Sequence, residues 1–195
     1  MSSRILDTIK RDHREIEACY DRIIKSTDPD EQTRFQNQFT WELARHAVGE
    51  ELVLYPALEK HLPDGHELAE KDRNESQTVK ERLNIFQNMS CSDPQFLPTI
   101  RALMDDLSQH LKEEETNDVP KLDNALSWQE SNRLARSFDR TKMFVPTRSH
   151  PGAPNRPPFE TAVALLTAPI DRLADIFRKW PDEEMYEPEP SDGMS

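Results

Sequence analysis

His46 and Glu50 stand four residues apart in this chain, and so do His110 and Glu114. On a helix, residues four apart share a face, so each pair would point an imidazole and a carboxylate at one region. His13 adds a third imidazole. Imidazole nitrogens mixed with carboxylate oxygens are donors for a cation such as iron or manganese rather than for a metal that prefers thiolates. The two cysteines, Cys19 and Cys91, have no C-x-x-C context and no partners at a metal-ligand spacing. They read as reduced thiols of an intracellular, cytoplasmic chain.

The segments around these residues carry apolar stripes at three-or-four spacing. One runs Ile5, Ile9, His13, Ile16, Tyr20, Ile23. A second runs Phe35, Phe39, Leu43, His46, Glu50, Val53, Ala57, and another runs Phe96, Ile100, Leu103, Leu107, His110, Glu114. The imidazoles and carboxylates thus occupy positions where Leu or Ile is the rule. Burying an ionised carboxylate costs on the order of several kcal/mol unless something compensates. One buried histidine is ordinary. Three histidines and two glutamates on one seam need a shared explanation, and a bound cation gives one.

Turn residues divide the chain into four long helices: about Ile5 to Lys25, Glu31 to Leu62, His66 to Asn88, and Pro94 to about Glu115. Short connections make neighbours antiparallel, so the fold class is all-α, an up-down-up-down four-helix bundle over residues 1–120. Positions equally far from a turn lie level on antiparallel helices, at ~1.5 Å of rise per residue. By that measure His13, His46 and Glu50, Ser76 and His110 fall in one layer. His66 with Glu70 repeats the H-x3-E spacing but lies ~10–15 Å nearer the bundle end. His61 sits at a helix C-terminus, where a cation complements the dipole. His150 falls in a proline-rich stretch, and none of these three belongs to the layer.

Residues 121–180 form a C-terminal helical extension. Ser127 to Lys142 is a fifth amphipathic helix, 145–158 carries five prolines and must be an extended connector, and Phe159 to Trp180 is a further helix. Val163, Leu166, Ile170, Leu173 and Phe177 share a face of it, expected to pack on the outside of the bundle, with docking on a partner or a membrane surface the alternative, the latter opposed by a polar face that is not basic; Pro169 predicts a kink or break. The acidic, proline-containing tail 181–195 is expected to be disordered.

A net charge of -12 opposes nucleic-acid and anionic-membrane binding. The N-terminus has no apolar signal-peptide core, and no segment approaches the ~20 apolar residues of a membrane span. A monomer or weak oligomer is expected.

The stretches DHREIEACYDRI, RHAVGEELVLYPALEKHLPDG, EKDRNESQTVKERL and HLKEEE together resemble the hemerythrin-like (HHE cation-binding) family over residues 5–120. The segment PTRSHPGAPNRPPFETAVALLTAPIDRL resembles the extension of fungal members. The resemblance implies a non-haem di-iron centre that binds, senses or reduces dioxygen, with ligands at His13, His46, Glu50, His110 and Glu114 and two bridging carboxylates. Two irons are implied, or one, with manganese an alternative metal. The alternative functions are an oxidase for a small organic molecule and a metal-free interaction module. One position departs from the family. Where members have a histidine in an E-H-Q-x-V-K stretch, this chain has Ser76 within Glu75-Ser76-Gln77-Thr78-Val79-Lys80. Asp72, one turn earlier, either replaces the missing ligand or orients an imidazole from outside, and Glu17 carries the same two options. Glu75 or a water are further ways to fill the gap.

Overall fold

The computed structural model describes residues 3–152, 159–182 and 185, with the backbone alone for 159–166. Helix α1 (Ile5–Lys25) is followed by α2 (Pro29–Gly49), which passes through a π-helical turn, Glu50–Leu54, into α3 (Tyr55–His61). Then come α4 (Gly65–Phe86) and α5 (Phe96–Glu113), which passes through a second π-helical turn, Glu114–Asp118, into α6 (Val119–Ala125). Helices α7 (Trp128–Lys142) and α8 (Phe159–Asp175) follow. No strand occurs among the described residues.

Local chemistry explains the starts. Asp28 caps α2, its side chain accepting from Asp30 N–H, with Pro29 in the first turn. Ser127 and Glu130 form a reciprocal capping box on α7. At the α3–α4 corner the chain must be glycine: a Cβ on Gly65 would lie 1.9 Å from the Leu58 carbonyl oxygen. Gly65→Ala is expected to cost about 2–3 kcal/mol through forced backbone movement, read as a lower melting temperature at unchanged helix content.

The two π turns share a cause. Pro56 follows the first and Pro120 the second, each six residues after a glutamate. A proline ring collides with the carbonyl four residues back and offers no N–H to it. The chain widens instead, and Tyr55 N–H bonds Glu50 O while Val119 N–H bonds Glu114 O, five residues back. The extra residue rotates the following face by one position. Leu54, Tyr55 and Leu58 are therefore sealed at 1% exposure or less, while Val53 and Ala57, the positions expected from regular spacing, are less completely buried. For the same reason the helix expected to stop near Glu115 does not stop; it continues to Ala125, across the boundary expected at 120.

The core consists of two apolar clusters. One gathers Ile16, Phe35, Phe39, Leu43, Val79, Leu83, Phe86, Phe96 and Leu107. The other gathers Ile5, Ile9, Leu54, Tyr55, Leu58, Ala69, Val119 and Leu122, with Phe138 from α7. Each fully buried Leu, Ile or Phe contributes roughly 1.5–3 kcal/mol. Between the clusters every bundle helix contributes buried polar side chains: His13; His46 and Glu50; Asp72 and Ser76; His110 and Glu114.

Helix α7 lies against α1, α2 and the first π turn. Helix α8 runs through Pro169 without a break. Its expected packing is overturned: Ile170, Leu173 and Phe177 are 70%, 63% and 84% exposed, while Ala168 and Asp171 are buried. The inward acid answers the polar needs of the connector. Asp171 accepts from the backbone N–H of Thr147 and Arg148 and lies 2.9 Å from His150 Nε2. The side chains of Val163 and Leu166 lie outside the described residues, as do connector residues 153–158 and tail residues 183–184 and 186–195. No helix among the described residues is long and apolar enough to cross a membrane.

Candidate metal centre

The polar layer is compact. His13, His46, Glu50, His110 and Glu114 are each 4% exposed or less. His13 Nε2 lies 3.2 Å from His46 Nε2 and 3.4 Å from Glu114 Oε2. His46 Nε2 lies 2.7 Å from Glu50 Oε1. Donor atoms of these four residues all fall within 4.8 Å of one another. On the other side, His110 Nε2 is 4.0 Å from Glu50 Oε2 and 3.7 Å from Glu114 Oε1. Each glutamate therefore divides its oxygens, one toward His13 or His46 and the other toward His110.

Carboxylates behind the imidazoles set their orientation. His13 Nδ1 lies 2.8 Å from Glu115 Oε1, His110 Nδ1 lies 3.0 Å from Glu75 Oε2, and His46 Nδ1 lies 3.5 Å from Asp12 Oδ2. A ring that donates Nδ1–H outward presents the Nε2 lone pair inward, as a metal-ligating histidine does. Each of these acids has its own cation. Arg14 holds Glu115, Lys71 lies 3.5 Å from Glu75, and Lys142 binds Asp12.

The electrostatics show why the cluster calls for positive charge. Burial alone would depress the His46 imidazole, but Glu50 and Asp12 outweigh it and push it up to about 10. His110 is likewise held well above the usual histidine range, against burial, by Glu114 and Glu50. Burial also opposes ionisation of Glu50, yet His46 and His110 hold it well below the usual carboxylate range. Glu114 is raised, first by burial and then by the charge of Glu50. Protons on the imidazoles stand where a cation would do the same work. The polar atoms agree: both Glu114 oxygens and His110 Nε2 are buried with no hydrogen-bond partner. The donor set fits a cation that takes nitrogen and oxygen together.

On α4, both Asp72 oxygens and Ser76 Oγ are buried and unpartnered. Burial, and then the charges of Glu114 and Asp118, push Asp72 up to about 8. It is Glu75, not Asp72, that meets an imidazole at Nδ1. Glu17 is half-exposed and pairs with Arg14. The exposed Glu59, His66 and Glu70 group already holds a cation, since Arg73 Nη1 lies 2.7 Å from Glu59 and 2.9 Å from Glu70.

Several contributors carry little or no local signal in the sequence. Asp12, Glu115 and Lys142 meet their partners across helices, so no local spacing marks them. Tyr55, whose hydroxyl lies 3.4 Å from Glu50 Oε2, is sealed at 0% exposure. It was hidden by the π turn, for which Pro56 was the available signal.

Residues 4–122 match the family model described as the hemerythrin HHE cation binding domain. The chain is 53% identical over 180 residues to a hemerythrin-like protein of Schizosaccharomyces pombe, covering 92% of this chain and 89% of the relative. It is 27% identical over 144 residues to a DNA nickase of Nostoc, covering 74% of this chain and 40% of that protein. No solved structure gives a significant match.

Proposed function

The chain belongs to the hemerythrin family of HHE cation-binding domains, and on that premise we propose that it is a non-haem di-iron protein that binds, senses or reduces dioxygen. The ligands are His13, His46, Glu50, His110 and Glu114. The observation that carries this reading is the division of the Glu50 and Glu114 oxygens between two sets of histidines. Two carboxylates so placed span two cation positions, one beside His13 and His46 and the other beside His110. Imidazole and carboxylate together suit iron or manganese.

Iron bound by these residues would supply the electron transfer to dioxygen that its binding or reduction needs. The protein's own residues do the rest. Glu115, Asp12 and Glu75 fix the rings with Nε2 inward. The apolar clusters above and below keep water out. Tyr55, whose hydroxyl is held in its protonated form by burial and by the nearby Glu50 and Glu114 charges, offers a hydrogen bond to Glu50 Oε2. Nicking of DNA is not carried over from the Nostoc protein, because a net charge of -12 opposes contact with a phosphate backbone.

The test is metal content and linked stability. Protein purified aerobically should carry about two irons per chain by plasma emission. Chelation should lower the melting temperature, since a ligand at 100 times its Kd adds about 2.7 kcal/mol. Protein without iron, manganese or zinc, whose melting ignores chelators, would instead be a metal-free module.

A further inference from the structure

Helix α4 is where the chain lacks the imidazole that its family resemblance leads one to expect, and the structure places an acid there instead. Asp72 is 1% exposed, and neither of its oxygens has a hydrogen-bond partner. The nearest positive group is Lys71 Nζ, 4.0 Å from Oδ1, on a half-exposed side chain also engaged by Glu113 and Glu75. Ser76, one turn further along the same face, leaves a third buried oxygen unpartnered. Asp72 lies between Ala69, which belongs to one apolar cluster, and Val79, which belongs to the other. That is the level of the polar layer. An Asp72 oxygen, a Glu75 oxygen and a ring nitrogen of His110 fall within 4.8 Å of one another. Glu75 is already committed to His110 Nδ1, so Asp72 is the acid in that group with donors to spare.

We propose that Asp72 is the α4 ligand of a distinct, oxygen-rich cation position, completed by His110 and one oxygen each from Glu50 and Glu114, which takes a hard divalent cation such as Mn(II) or Fe(II). This rests on the two-position reading of the centre given above. The two positions then differ in chemistry. The one beside His13 and His46 offers two nitrogens and two oxygens. The one beside His110 offers one nitrogen and three carboxylate oxygens. Imidazole favours Zn(II), whereas carboxylate suits Mn(II) better. The centre should therefore sort metals, holding different ions side by side.

The sorting can be read without any measurement of activity. Metal-depleted protein is given one equivalent of Zn(II), then Mn(II), with metal per chain by plasma emission and bound Mn(II) by electron paramagnetic resonance. Wild type should hold one zinc and one manganese. Asp72→Asn, close to isosteric, should keep the zinc and weaken manganese by about 100-fold or more, since even a group behind a ligand is worth ~10–100-fold. The retained zinc shows that the variant is folded. Ser76→His should add an imidazole to the oxygen-rich position and turn its preference toward zinc, so that a second equivalent of Zn(II) displaces manganese. Manganese affinity unchanged in Asp72→Asn overturns the assignment of Asp72. Loss of both metals in that variant, or one zinc and no manganese in wild type, overturns the independence of the two positions. If wild type binds neither metal, it is the di-iron reading that fails.

Discussion

Metal-free Glu114→Gln protein should melt at a higher temperature than metal-free wild type, and iron should reverse that order. Glu114 is 0% exposed, neither of its oxygens has a hydrogen-bond partner, and its carboxyl is raised by burial and by Glu50. Without a cation, the acid must either ionise, buried and beside the Glu50 charge, or take up a proton, and both cost free energy. A neutral amide of the same shape removes that cost. Replacing a buried ion pair by neutral groups of similar volume stabilises some proteins by about 1–4 kcal/mol, and neutralising one carboxylate that the protein leaves without a hydrogen-bond partner is expected at the low end of that range. For a chain of this length, each kcal/mol moves the melting temperature by about 2–4 °C. With iron present the comparison changes sign. The amide cannot supply the anionic oxygen that faces His13 or the one that faces His110, so both positions lose affinity together. A loss of about 100-fold removes about 2.7 kcal/mol of linked stabilisation at the same free metal. Calorimetry of both proteins, with iron and with chelator, gives the four melting temperatures needed. If metal-free Glu114→Gln melts below metal-free wild type, the carboxylate is satisfied by the protein alone and the argument for a cation loses its energetic basis.

How much of this was legible in the sequence depends on the range of the interactions. The bundle and its polar layer were legible, because helical period and turn residues are local. His13, His46, Glu50, His110 and Glu114 interrupt apolar stripes and can be found by spacing alone. The residues behind the imidazoles were not legible. Asp12 precedes His13 in sequence yet serves His46, on another helix. Glu115 adjoins Glu114 yet serves His13. Neighbours in sequence face different directions on a helix, so these roles become visible only once the helices are packed. The π turns fall between these cases. Pro56 and Pro120 stand at the same distance from their glutamates, a repeat detectable in the sequence, but regular helical spacing carried through the first turn gives Val53 and Ala57 rather than the more completely buried Leu54, Tyr55 and Leu58. The apolar face of α8 misled for a different reason. Its amphipathic period was right, but the buried N–H groups of Thr147 and Arg148 claimed the polar face.

Helix α7 should prove to be part of the metal centre, even though the match to the family model ends at residue 122. Helix α7 closes the layer on the His46 side. Phe138 sets its ring edge-on to His46, with centroids 5.8 Å apart, and sits so close to α2 that a Cβ on Gly49 would come 3.0 Å from it. From the last turn of α7, Lys142 reaches down to bind Asp12, which in turn faces His46 Nδ1. Lys142 is itself 6% exposed, and its backbone carbonyl accepts from Arg45 Nε at 2.7 Å. Lys142→Met keeps the length and the apolar stem but leaves Asp12 with Arg11, a half-exposed partner at 3.1 Å. Breaking a buried pair by removing one member costs about 3–5 kcal/mol, and the lower half of that range is expected because Arg11 remains. The same change loosens the group that orients His46, so metal beside His13 and His46 should be lost about 10–100-fold more readily. The position beside His110, oriented by Glu75 from α4, should hold its metal as before. The measurement is release to a chelator, followed separately for the two ions of a zinc–manganese protein. In Lys142→Met the zinc phase should accelerate while the manganese phase stays as in wild type, and Lys142→Arg should restore most of the difference. Equal acceleration of both phases would mean that α7 supports the bundle as a whole. No change in either would mean that Asp12 orients His46 unaided.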